Sequence, residues 1–268
     1  VSVTRWASRI VSDIDDDTRR DLAENLAVAI ELHFGLTVTP SEAFGVRGDV
    51  GWCDGVSIIE GGLILYRQTL SRRDNFTLMH ELAHHLLAGN IDCLSWIADQ
   101  SEPARVLEQL CEQIAAELLI RPDEVVAALD GGAPNADAVV ALFEATEASR
   151  SACVVAVARK LPCDGFVVLV EEGSNEVFFA ARARDTRPYA WRRDRLPAAH
   201  PLRQGPPPAR ALTWWPYPTG NDRREFFMST TTHRGRDQLP VRLPGQDPVV
   251  AVQQLRRLTM SPLRRVRL

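Results

Sequence analysis

The segment His80-Glu81-Leu82-Ala83-His84 sets two imidazoles four residues apart, with a carboxylate directly after the first. It sits within Phe76-Thr77-Leu78-Met79 on one side and His85-Leu86-Leu87 on the other, an apolar pattern with helical spacing. On a helix, residues i and i+4 share a face, so His80 and His84 can reach one metal ion. Glu81 is turned about 100° from His80, beside that ion and not in competition with the imidazoles for it. There it can hold a water and take its proton. Imidazole suits zinc, whose catalytic sites commonly have three protein ligands and one open position. His85 faces elsewhere on the helix and is not expected to ligate. The pattern is specific: a chance H-E-x-x-H in a chain of this length and composition is roughly a 1% event.

A third ligand is needed, and a second helical pattern offers two. Glu108-Gln109-Leu110-Cys111-Glu112 places Glu108 and Glu112 at i and i+4 on one face. Spacing alone does not choose between them. Tyr66, His200 and His233 are candidates to stabilise an oxyanion, and nothing in the sequence ranks them.

These residues resemble the ImmA/IrrE metallopeptidases, whose pattern R-x-x-F-T-x-x-H-E-x-x-H-x-x-L is matched by Arg73, Phe76, Thr77, His80, Glu81, His84 and Leu87. The family's following helix, E-x-x-A/C-N-x-F-A-x-x-L-L-M-P, is matched by Glu108, Cys111, Ala115, Leu118 and Leu119. The resemblance implies zinc held by His80, His84 and Glu108, with Glu112 the alternative third ligand and Glu81 the catalytic base. It implies a protein substrate, a helix-turn-helix repressor whose cleavage releases stress-response, prophage or defence genes. Several positions depart from the pattern. Glu112 stands for Asn, Ile114 for Phe, Ile120-Arg121-Pro122 for Met-Pro, and Ala83 for a common Gly. None removes a ligand or the base. The likeness covers about residues 71–122. Beyond residue 150 it is looser, to accessory regions that are GAF-like in the radiation-response members.

The elements that must position the site follow from periodicity and punctuation. Residues 71–87 read as one helix stopped at Gly89-Asn90, and 103–120 as another. Leu22, Leu26, Ile30 and Phe34 mark a helix over 18–34, with Thr18 as its cap and Gly35 as its stop. The acidic run Asp13 to Asp17 before it reads as a solvated lead-in. Val56–Glu60 and Leu63–Tyr66 flank Gly61-Gly62 as a hairpin. Shorter helices cover 123–129, 136–147 and 149–161. After Pro162, Phe166–Val170 and Val177–Ala180 read as strands around a turn at Gly173-Ser174-Asn175. The expected fold class is α+β: a mainly helical, zincin-like domain with a small sheet over 1–150, then a small, mainly β, GAF-like regulatory or sensor domain over 151–268. The boundary is soft, falling within about 130–162.

Charge supports that division. Among 268 residues the net charge is −4, but residues 1–150 carry 11 Arg and Lys against 25 Asp and Glu, a net −14. Residues 151–268 carry 20 against 10, a net +10, together with 13 of the 17 prolines. Arg pairs at 192–193 and 223–224 interleave with Trp191, Trp214 and Trp215, a combination that can bind single-stranded DNA or a nucleotide through phosphate contacts and stacking. All but one of the 31 basic residues are Arg, the exception being Lys160, so the same charge is also consistent with coding bias and solvated arginines.

With 45% hydrophobic and 25% charged residues the chain is globular in composition, and no apolar run is long enough for a membrane span. Five cysteines with no C-x-x-C fit reduced thiols, and the first residues lack the apolar core of a secretory leader, so a cytoplasmic location is expected. The leading expectation is a zinc endopeptidase that cleaves a repressor. A non-catalytic regulator, binding a repressor or DNA around a structural metal, is the alternative. A purely structural site has no need of Glu81.

Overall fold

The computed structural model describes residues 2–42, 54–162, 165–171, 175–183, 193–196 and 198, and the strands at 210–216, 223–233 and 256–262. They form two compact units. The first comprises residues up to Arg121 with the short segment Thr146–Ala148, and the second runs from Pro122 to Ala145 and onward from Ser149.

In the first unit, Val3–Ser12 forms α1, an amphipathic helix that buries Trp6, Ala7, Ile10 and Val11. Two helices follow where one was expected. Asp16–Glu24 is α2 and Leu26–Phe34 is α3, separated at Asn25, whose φ of −152° leaves the helical region. Asn25 closes one helix through its N–H on the Asp21 carbonyl and opens the next by accepting from the Ala29 N–H. The apolar four-residue steps run straight across this break, so they report the buried face and not its continuity. The cap of α2 is Asp15, not Thr18: its carboxylate accepts from the Thr18 N–H at 2.9 Å and from the Thr18 hydroxyl at 2.7 Å. Those two bonds hold the Asp15 carboxyl below its ordinary range. Gly35 ends α3 in the left-handed region at φ +64°, where a Cβ would be strained.

A three-stranded sheet comes next, of β1 (Thr37–Pro40), β2 (Gly55–Ile58) and β3 (Leu63–Tyr66), in the order β1-β3-β2. The expected hairpin is present, with Ser57 opposite Ile64. Its first strand ends at Ile58 instead of Glu60. Strand β1, which the sequence did not predict, pairs parallel to β3, with Val38 opposite Ile64. The central strand alone is firmly covered, with Ile64 and Tyr66 buried.

Arg73–Ala88 forms α4, Ile91–Ala98 forms α5, and Pro103–Leu119 forms α6 with its proline in the first turn, where no N–H is needed. Helix α4 packs on α6, on β2 and on β3, which is why its buried residues are spread around the helix and include Asp74, Asn75, Thr77 and Glu81. The core joins Trp6 and Ile10 of α1, Ala83 and Leu87 of α4, Cys93 and Ile97 of α5, and Leu110, Cys111 and Ile114 of α6. Leu110, two residues beyond Glu108, is completely buried. Replacing Leu110 by Ala should lower the unfolding free energy by about 2–5 kcal/mol, measured by denaturant titration.

The second unit begins with three helices, α7 (Pro122–Leu129), α8 (Ala136–Ala145) and α9 (Arg150–Ala158). Five strands, β4 (Gly165–Glu171), β5 (Val177–Arg182), β6 (Arg210–Pro216), β7 (Arg223–His233) and β8 (Arg256–Pro262), make an antiparallel sheet in the order β5-β4-β8-β7-β6. Helix α9 packs on β4 and β5, and α8 on β7 and β8. Strand β4 lies between two neighbours, and Phe166 through Val170 are all buried, which explains its unbroken apolar run. Trp214 and Trp215 fall in β6, and Arg223-Arg224 open β7. Trp191, Arg192 and His200 lie outside the described residues, as do Gly173 and Ser174 of the expected turn. Among the described residues, no helix is long and apolar enough to cross a membrane.

Candidate metal centre

Helix α4 owes its place to ties at its first turns. The Asp74 carboxylate accepts from the N–H groups of Thr69 and Leu70, each at 2.9 Å. Arg72 donates to the Thr146 carbonyl at 2.7 Å and Asn75 to the Glu147 carbonyl at 3.0 Å, which fastens the segment 146–148 to the helix. One face of α4 then presents His80 and His84, whose Nε2 atoms lie 3.3 Å apart. Helix α6 brings Glu108 to the same point: Oε2 is 3.3 Å from His80 Nε2, and Oε1 is 3.7 Å from His84 Nε2. One ligand atom from each of the three residues lies within 4.8 Å of the other two.

Two imidazole nitrogens and one carboxylate oxygen, each offering a lone pair to a common point, are a donor set that suits zinc. Burial, helped by the neighbouring His80, holds the His84 imidazole below its ordinary pKa, against the pull of Glu108 and Glu81. That favours the neutral form, which is the form that ligates. Glu112 is exposed on α6 and is not part of this group. His85 is outside it too, being turned to the Leu63 backbone, with burial lowering its pKa. Tyr66 is buried on β3 with the Asp74 carboxylate nearby, and the two together raise its pKa, burial contributing most. His233 ends β7.

Glu81 lies beside the cluster and is only 6% exposed. Burial raises its carboxyl above the ordinary range, and a hydrogen bond from Ser57 and the nearby His84 oppose that rise. Ser57 Oγ donates to Glu81 Oε2 at 2.7 Å and lies 2.9 Å from the Glu81 carbonyl oxygen. Strand β2 is thus joined to α4 at Ser57 and, three residues earlier, at Asp54, which pairs with Arg73 at 2.5 Å. Between them Gly55 passes closest to the helix. A Cβ there would stand 2.8 Å from both Glu81 Oε1 and Thr77 Cγ2, so only glycine leaves the carboxylate where it is.

This geometry gives Arg73 and Thr77 a purpose that spacing did not reveal: they seat β2 against the helix. Ser57, Gly55 and Cys111, whose Sγ is 3.5 Å from His84 Nδ1, were not singled out from sequence as site residues. A glycine within a strand signals close backbone approach, but the strand expected from sequence began at Val56 and left Gly55 outside it.

Comparison with known proteins fits the same residues. Residues 33–149 match the family described as the IrrE N-terminal-like domain of the M78 peptidases. Through this stretch the chain is similar to the ImmA/IrrE family. The radiation response metalloprotease IrrE of Deinococcus radiodurans is 32% identical over 144 residues, which is 52% of this chain and 44% of the relative. The protein of the same name from Deinococcus deserti is 33% identical over 101 residues, covering 37% of this chain and 36% of that one. The chain therefore matches less than half the length of these two ImmA/IrrE relatives. A solved Mycobacterium tuberculosis transcriptional regulator shares the fold, with a TM-score of 0.51 at 14% identity over 97% of this chain and 87% of that chain.

Proposed function

We propose that this chain is a zinc-dependent endopeptidase of the cytoplasm that cleaves a helix-turn-helix transcriptional repressor. The observation that carries the reading is the convergence of His80, His84 and Glu108 beside a buried carboxylate outside that group, Glu81. His80, His84 and Glu108 would hold the metal, and a bound zinc ion would supply Lewis acidity toward water and the scissile carbonyl. The chain's own proton chemistry belongs to Glu81. Its carboxylate takes the proton of the attacking water and delivers it to the departing amine. Burial suits it to both steps, since a carboxyl with raised proton affinity is the stronger base and still releases the proton to an amine. Ser57 holds one carboxylate oxygen and leaves the other to act.

The names of the Deinococcus relatives support metalloprotease chemistry, and the family match ending at residue 149 supports a catalytic part within 1–150. For residues 151–268 we read a GAF-like regulatory domain, on the strength of their five-stranded antiparallel sheet. Its ligand would be single-stranded DNA or a nucleotide. One backbone fact favours that class: in the pairing of β6 with β7, Trp215 lies opposite Arg224, so an aromatic and a cationic residue are cross-strand neighbours. Loss of all salt-dependent affinity for single-stranded DNA would remove this part of the reading.

The direct test is incubation with candidate helix-turn-helix repressors from the same organism. Cleavage at a discrete bond, stopped by a chelator and restored by zinc, is expected. Candidates all left intact after zinc loading would defeat the proposal. Gly55→Ala should reduce turnover about 10²-fold, because displacement of a reacting group by a fraction of an ångström to 1 Å has that cost. Zinc content should not change, since Gly55 faces Glu81 and Thr77 and none of the ligands. Parallel kinetics and metal analysis check both halves of that statement.

A further inference from the structure

We propose that Cys111 is a positioning residue for the metal centre: its Sγ accepts a hydrogen bond from Nδ1–H of His84 and thereby fixes the tautomer that turns Nε2 toward His80 and Glu108. The inference rests on the reading of His80, His84 and Glu108 as ligands.

The geometry is specific to one imidazole. Cys111 Sγ lies 3.5 Å from His84 Nδ1, while Nε2 of the same ring lies 3.3 Å from His80 Nε2 and 3.7 Å from Glu108 Oε1. The two nitrogens therefore have separate partners. Helix α6 supplies one to each nitrogen, because Glu108 and Cys111 are three residues apart and share a face. Cys111 is completely buried in the core with Leu110, Ile114, Ala83 and Leu87, so solvent does not compete for the Nδ1 proton. Neutral imidazole carries one proton, and a partner that accepts it at Nδ1 leaves the lone pair on Nε2, facing the metal position. The sulfur is not itself a fourth ligand, since it addresses the nitrogen that does not face the cluster.

His80 makes the contrast. Its Nδ1 is buried with no partner among the described residues, and its ring packs beside Phe76, centroids 6.3 Å apart. Of the two imidazoles, His84 is the one whose orientation is set by a hydrogen bond to Nδ1. Carboxylates and backbone carbonyls usually fill this role in metal sites, and here a thiol does.

The test measures zinc affinity of the full chain by competition with a chelator, for the parent, Cys111→Ala and Cys111→Ser. Sulfur is a weak acceptor, so Cys111→Ala should weaken zinc about tenfold, the low end for loss of a ligand's outer partner. Cys111→Ser keeps an acceptor and should stay within about threefold of the parent. Nitrogen-15 NMR of the metal-free parent should show the His84 proton on Nδ1, a readout that needs no variant to fold. Parent-like affinity in Cys111→Ala overturns the proposal. So does equal weakening in both variants, which would assign the effect to packing, or a His84 proton on Nε2. His80→Ala separates this inference from the reading beneath it. If that variant keeps full zinc affinity, the metal centre itself is misassigned; if it loses zinc while Cys111→Ala does not, only the role of Cys111 falls.

Discussion

Glu81→Gln is expected to lower repressor cleavage by about 10²–10⁴-fold, the usual worth of a general acid–base group, while zinc content stays at the parent's level. Glutamine has nearly the shape of the glutamate it replaces, and its side-chain oxygen can still accept the 2.7 Å hydrogen bond from Ser57. The packing of a residue that is 6% exposed is therefore preserved. What is lost is the capacity to take a proton from water. Because the group that could hold a metal, His80, His84 and Glu108, does not include Glu81, metal binding should not respond. Kinetics and metal analysis on the same preparation decide the matter. Undiminished cleavage by Glu81→Gln would remove the proposed base, and a coincident loss of zinc would make Glu81 a ligand instead. The alternative of a non-catalytic regulator makes a different forecast, since a structural zinc site would leave repressor binding intact and show no cleavage in either protein.

The grouping of the candidate site residues was legible in the sequence to the extent that it depends on one helix. His80, Glu81 and His84 lie within five residues, and the 3.6-residue period alone fixes which of them share a face. The stop at Gly89-Asn90 and the hairpin around Gly61-Gly62 were legible for the same reason, being set by local backbone preference. Relations between distant segments were not. Strand β1 has four residues with little alternation and finds its partner, β3, some 26 positions on, so no local signal announces it. Asn25 breaks the expected helix without disturbing the apolar spacing on either side, because both halves bury the same kind of face. Helix α1 could have been found: Trp6, Ala7, Ile10 and Val11 recur at helical spacing within a segment read only for its lack of a leader. Ser57 and Gly55 carry no signature that names Glu81 as their neighbour; only the docking of β2 on α4 does so.

The choice between Glu108 and Glu112 shows what the fold adds, and it yields the sharpest test of the metal centre. The two carboxylates share a helical face by spacing, yet α6 packs so that only Glu108 reaches the histidines. Its oxygens lie 3.3 Å from His80 Nε2 and 3.7 Å from His84 Nε2, whereas Glu112, one turn further along, is exposed and outside the group. The core residues Leu110, Cys111 and Ile114 determine this rotation, since they bury the neighbouring stripe of α6 against α1, α4 and α5. Glu108→Ala should therefore weaken zinc by more than about 100-fold, beyond the range for loss of an outer-shell partner, and should end turnover. Glu112→Ala should bind zinc within about twofold of the parent, as expected for a surface carboxylate with no ligand role. Because Glu108 is itself 55% exposed in its side chain, its removal leaves no large cavity, and the metal-free variant should unfold close to the metal-free parent. Zinc competition on both variants is decisive: the reverse order of affinities would move the third ligand to Glu112 and require α6 to pack in a different rotation from the one that buries Leu110 and Ile114.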